Sequence, residues 1–145
     1  MKIAICASLD FTHEMKEFAE RLEKLGHETI LPKTSEIILK GEISLEWIKK
    51  EKESGQIHKR MQEHDVLRYY FEKIKESDAV LVPNLEKKCV KGYIGGNTFL
   101  EMGFAHVLGK KIFLLNGIPN MPYIDEIKVM RPIVLNGKLE DIREG

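Results

Sequence analysis

Apolar positions in this chain follow two periods that alternate from one end to the other. Lys2 to Ala7 (KIAICA) is a short, nearly continuous apolar run rich in isoleucine, the pattern of a strand covered on both faces. From Phe11 the apolar residues recur as Phe11, Met15, Phe18, Ala19, Leu22 and Leu25, three and four apart, which predicts a helix face that Gly26 terminates. His27 to Leu31, closed by Pro32, reads as a second strand and completes a strand, helix, strand unit of about 30 residues.

Residues 33–56 break this rhythm. They are polar and charge-rich, with one amphipathic stretch around Ile43, Trp47 and Ile48, and read as an inserted helical flap. Ile57, Met61, Leu67, Tyr70, Phe71 and Ile74 then predict one long packing helix, ended by Glu76-Ser77-Asp78. Ala79 to Pro83 (AVLVP) is a third strand, Asn84 to Gly96 a loop, Thr98 to Leu108 a helix and Lys111 to Leu115 a fourth strand. A short helical stretch at Asp125 to Met130, a fifth strand at Pro132 to Leu135 and a weak terminal helix close the pattern. Strands alternating with helices imply an α/β three-layer sandwich around a five-stranded parallel sheet, in the flavodoxin-like order 2-1-3-4-5. All of 1–145 is expected to form one domain carrying a polar helical insertion at about 33–56.

Composition narrows the class. With 145 residues, 43% of them apolar, the chain suffices for one core. Lys and Arg total 23, as do Asp and Glu, so the net charge is zero and a polymeric nucleic acid is not an expected partner. The longest apolar runs fall far short of the ~20 residues of a membrane helix, so no membrane association is expected. Cys6 and Cys89 lack any CxxC or Cys/His zinc spacing, which suits a reducing compartment and points to the cytoplasm. The five histidines show no zinc-ligand spacing, and no metal site is expected. Neither a dinucleotide fingerprint nor a P-loop occurs.

In open parallel sheets, ligands bind beyond the carboxyl ends of the strands where strand order reverses. That selects the segment after the first strand, which contains Ser8, the loop after the third, which begins at Asn84, and Asn116-Gly117 after the fourth. Ser8 suits either a ligand contact or a helix cap, and Asn116 suits either the crevice or an ordinary turn. Cys6 reads as a small buried hydrophobe. The richest segment is Gly95-Gly96-Asn97-Thr98-Phe99-Leu100-Glu101. Paired glycines before a helix start expose backbone N–H groups to an anion or a sugar hydroxyl, and Glu101 lies one turn further in. Thr98-x-x-Glu101 also matches a capping box, in which the glutamate would serve the helix itself.

The stretch GGNTFLEMGFAHVLGKKIFLLN resembles the nucleoside 2-deoxyribosyltransferase-like family. The resemblance extends more loosely to KIAICASLDF, to KLGHE at 24–28 and to KIKESDA at 73–79, leaving out 33–56. It implies that Glu101 is a nucleophile at an N-glycosidic bond, framed by Thr98, Gly103, Ala105, Gly109 and Lys110. By the same resemblance a (deoxy)nucleoside or nucleoside 5′-monophosphate is cleaved or transferred without a cofactor, and the chain forms a homodimer or homotetramer. Ser8, Asn84, Gly95, Gly96, Asn97, Thr98 and Asn116 are the expected substrate contacts. The chain departs from the family at Tyr70, where an aspartate is usual, and at Gly95, where an aspartate or a phosphate-binding serine is usual. Base protonation and phosphate recognition would then pass to other groups, such as Asn84, Tyr93, Asn97 or Asn116. The alternative is a non-catalytic nucleotide-binding module with the same crevice. The row Tyr69, Tyr70, Phe71 occupies more than one helix face, which suggests an interface unless the insertion covers it.

Overall fold

A computed structural model describes residues 1–143. Five parallel strands, β1 (Lys2–Ile5), β2 (Glu28–Ile30), β3 (Ala79–Val82), β4 (Lys111–Leu114) and β5 (Ile133–Val134), form one sheet in the order β2-β1-β3-β4-β5. Successive side chains of a strand point to opposite faces, so each central strand feeds two cores. Ile3, Ile5, Ala79, Leu81 and Phe113 pack on one side with Met15, Ala19 and Leu22 of α1 (Thr12–Lys24). Ala4, Cys6, Val80, Val82, Ile112 and Leu114 pack on the other. There they meet α5 (Val66–Glu76), α6 (Gly96–Val107) and α7 (Ile124–Val129) through Tyr70, Ile74, Met102, Ala105 and Ile127. Among the described residues, no helix is long and apolar enough to cross a membrane.

The polar segment at 33–56 folds into α2 (Lys33–Leu39) and α3 (Leu45–Glu53) around a small core of its own, formed by Ile38, Leu45 and Ile48. Leu9 and Ile57 pack against that core from the body of the fold. Thr12 Oγ1 lies 3.1 Å from Ser35 Oγ, joining α1 to α2. Glu51 of α3 accepts two hydrogen bonds from Arg60, at 2.9 and 2.7 Å, the paired geometry that suits a guanidinium and a carboxylate.

The long helix expected over 57–74 is two helices, α4 (Ile57–His64) and α5. Asp65 breaks it at φ 41, a left-handed conformation that aspartate tolerates better than most residues, and its side chain accepts from Arg68 N to start α5. The helix expected from Thr98 begins earlier, at Gly96 with Gly95 as its cap, and the weak terminal helix is a single 3₁₀ turn at Leu139–Asp141. Periodicity missed both ends because glycines and a lone aspartate carry no apolar signal. Of the aromatic row, Tyr70 is buried and Tyr69 is half-buried with Lys33 of α2 and Lys73 over its ring. Phe71 meets Phe104 of α6 edge-on.

Candidate active site

Glu101 sits on the buried stripe of α6, in register with Thr98, Met102 and Ala105, and is only 3% exposed. A carboxyl on a core-facing stripe needs partners, because burying a polar group without a hydrogen bond costs free energy. Oε1 of Glu101 has none among the described residues. Burial alone pushes the acid up to about 8, so it is largely protonated at neutral pH. The capping-box role is excluded, because Gly95 is the cap and Thr98 already lies inside the first turn. Glu101 therefore does nothing for the helix start, and its cost points to chemistry.

The carboxyl faces a cavity of about 40 Å³ shared with Leu9, Pro32, Thr34, Met61, Tyr70 and Asn97. Leu9, Met61 and Asn97 also line an adjoining cleft of about 290 Å³, so the two spaces meet along these side chains. The larger cleft lies where β1 and β3 end, bounded by Ala7 to Leu9, by Lys87, Lys88 and Tyr93, and by Gly95 to Thr98 at the start of α6. Ile57, Met61 and Lys52 close its far side. Gly96 is exposed, and a Cβ there would meet nothing within 4 Å, so its backbone is open to the cleft.

Ser8 is a cap and also lines the cleft. Its Oγ accepts from Asp10 N at 3.4 Å, capping the 3₁₀ turn Leu9–Phe11, and from Lys87 Nζ at 2.8 Å within the cleft. Gly95, Gly96, Asn97 and Thr98 line the cleft.

Asn84 and Asn116 do not line it. Asn84 is 1% exposed, and its Nδ2 donates to the carbonyls of Gly92, Asn116 and Gly117 at 3.3, 3.2 and 3.0 Å. Its Oδ1 accepts from Asn116 N at 2.9 Å, and Asn116 Nδ2 returns a bond to Asn84 O at 3.1 Å. The two amides clamp the loops after β3 and β4. Gly92, at φ +71, sits inside this clamp, where a Cβ would lie 2.6 Å from Gly117 O.

Tyr70 stands near the carboxyl without replacing an acid. Its hydroxyl donates to the carbonyl oxygens of Ile5 and Ile30, at the ends of β1 and β2, and burial, with Cys6 and Glu101 adding to it, raises the phenol well above its ordinary range. The proton is held by the sheet. Cys6 is fully buried, and burial followed by the nearby Glu101 charge raises its thiol strongly, so it is an inert core residue.

Three residues escaped the sequence reading: Lys52, Lys87 and Lys88. The pair Lys87-Lys88 in the loop after β3 was a visible signal. Lys52 was not, because nothing in the polar insertion indicates which of its lysines turns inward. No family model, curated protein or solved structure matches the chain.

Proposed function

We propose that the chain is an N-glycosyl hydrolase or transferase acting on a (deoxy)nucleoside or nucleoside 5′-monophosphate, with Glu101 as nucleophile. The observation that carries this reading is the buried, unpartnered Glu101 carboxyl on a small cavity that shares Leu9, Met61 and Asn97 with the cleft at the carboxyl edge of the sheet. The family resemblance of the α6 segment supports it.

The cavity at the carboxyl holds little more than a water, so the sugar ring belongs in the larger cleft with its C1′ edge toward Glu101. Ionised Glu101 attacks C1′ through an oxocarbenium-like state. A C1′–O ester forms, the C1′–N bond breaks, and its electron pair leaves with the base, which takes up a proton. Water, or a ring nitrogen of an acceptor base, then attacks C1′ and loses a proton as the C1′–O ester bond breaks and frees the carboxylate. The low polarity that raises the acid also strengthens the attraction between carboxylate and developing cation. Tyr93 and Asn97 line the cleft and are the groups available to hold base or sugar.

A binding module without catalysis is favoured by one observation: the Tyr70 proton is tied to strand carbonyls where the family carries an acid. Chromatographic detection of free base from a panel of deoxynucleosides, ribonucleosides and their 5′-monophosphates separates the two. Base release that disappears in Glu101→Gln supports the enzyme, whereas binding without release favours the module. A homodimer or homotetramer in the cytoplasm belongs to the same proposal. Leu67 of α5 with Leu100 and Val107 of α6 provides exposed apolar surface for self-association.

A further inference from the structure

Two ammonium groups from separate parts of the chain meet at one carboxylate beside the cleft, and a third lines the same cleft. Lys87 Nζ lies 2.7 Å from Asp10 Oδ2, and Lys52 Nζ lies 3.3 Å from Asp10 Oδ1. Lys87 and Lys88 both approach the face of Tyr93, at 5.5 and 5.8 Å from the ring centre. All three lysines line the same cleft as the exposed backbone at the start of α6. Asp10 is shared by two of them, so the cluster keeps an excess of two positive charges.

This excess carries an electrostatic cost. Lys52 is held below its ordinary range, first by burial and then by repulsion from Lys87 and Lys88, with Asp10 compensating in part. Asp10 is itself drawn below the usual carboxylate range, because Lys87 and Lys52 outweigh its burial. Next to the cluster, the first turn of α6 presents N–H groups that favour negative charge, and the unpartnered Glu101 opens onto the adjoining cavity. A phosphate monoester carries about −1.5 to −2 charge near neutral pH, matching the excess.

We infer that Lys52, Lys87, Lys88 and the backbone of Gly96 to Thr98 form a phosphate subsite, so that the substrate is a nucleoside 5′-monophosphate, selected over the free nucleoside. The inserted segment is then a specificity element, since α3 supplies Lys52 from outside the strands and helices that make the sheet fold. This inference rests on the glycosidic reading for the identity of the substrate, while the anion subsite stands on the lysine geometry.

The test compares kcat/KM for base release from matched 2′-deoxynucleosides and 2′-deoxynucleoside 5′-monophosphates, alongside calorimetric binding of the monophosphates and of inorganic phosphate. In the wild-type protein the monophosphate is preferred at least a hundredfold. In Lys52→Gln and in Lys88→Gln that ratio falls at least tenfold, and phosphate affinity falls with it. Lys88→Gln lies on a different element, so the test survives if loss of Lys52 disturbs the packing of α3. Equal use of nucleoside and monophosphate by the wild type overturns the subsite and leaves the glycosidic reading standing. Tight monophosphate binding that depends on both lysines but releases no base keeps the subsite and overturns the glycosidic reading. No binding of monophosphate or phosphate overturns the inference outright.

Discussion

Asn84 and Asn116 hold each other by two reciprocal hydrogen bonds, Asn116 N to Asn84 Oδ1 at 2.9 Å and Asn116 Nδ2 to Asn84 O at 3.1 Å. The sequence marks both as substrate contacts; in the fold the pair locks the β3 and β4 loops together, outside the cleft beside Glu101. Asn84→Ala should therefore destabilise the fold by about 1–3 kcal/mol for each polar group left unpaired. Denaturant unfolding checks this. Unaltered stability together with weakened substrate binding would return Asn84 to the site.

Glycine substitutions in the same region should separate structure from ligand access. Gly92→Ala forces a side chain into a left-handed conformation and against Gly117 O, so the protein should unfold at a markedly lower temperature. Gly96→Val meets open space and should fold with modest loss of stability, while its side chain enters the cleft and weakens monophosphate binding. Equal affinity by calorimetry would argue against a ligand at the start of α6.

Glu101→Gln should abolish base release by about a thousandfold or more, since an amide is a poor nucleophile. The same change should stabilise the protein at neutral and alkaline pH. With a folded pKa of about 8 against an ordinary carboxyl value of 4.5, the folded state binds more protons between these limits, so stability falls as pH rises through them. The penalty is about 3 kcal/mol at pH 7 and larger above pH 8, and it vanishes in the glutamine variant. Melting curves of both proteins at pH 5 and pH 8.5 decide it: a gap that does not widen with pH contradicts a buried, titrating Glu101.

Activity should rise with pH. A nucleophile with a pKa of about 8, in the company of the buried Cys6 and Tyr70, is ionised to only a small fraction at pH 6. Base release should climb by roughly tenfold per pH unit and level off near pH 8. A rate that falls over the same range would assign Glu101 as an acid.

Association should be visible by light scattering at micromolar protein. A mass above that of one chain is expected, and a charged substitution at Val107, which is 84% exposed, should lower it. A monomer with full activity would remove self-association from the proposal.

The strands, their two-sided burial and α1 were legible in the sequence, because each depends on a local period, apolar runs flanked by turns for strands and three-and-four spacing for α1. The sheet order followed from the alternation of strands with helices. The placing of Glu101 on a core stripe was also latent in that spacing, since Thr98, Glu101, Met102 and Ala105 fall on one helical face. What Glu101 does there was not, because a capping box and a buried acid share the same four-residue spacing, and only the start of α6 at Gly96 separates them. The roles of Asn84, Asn116, Lys52 and Lys87 depend on partners 32 to 79 positions away in the chain, such as Asn84 with Asn116 and Lys87 with Ser8. No local period encodes such distances. The tertiary structure decided them, by bringing the ends of β1 and β3 and the inserted α3 around one cleft, where burial and like charge give these side chains a chemistry that their identities alone do not.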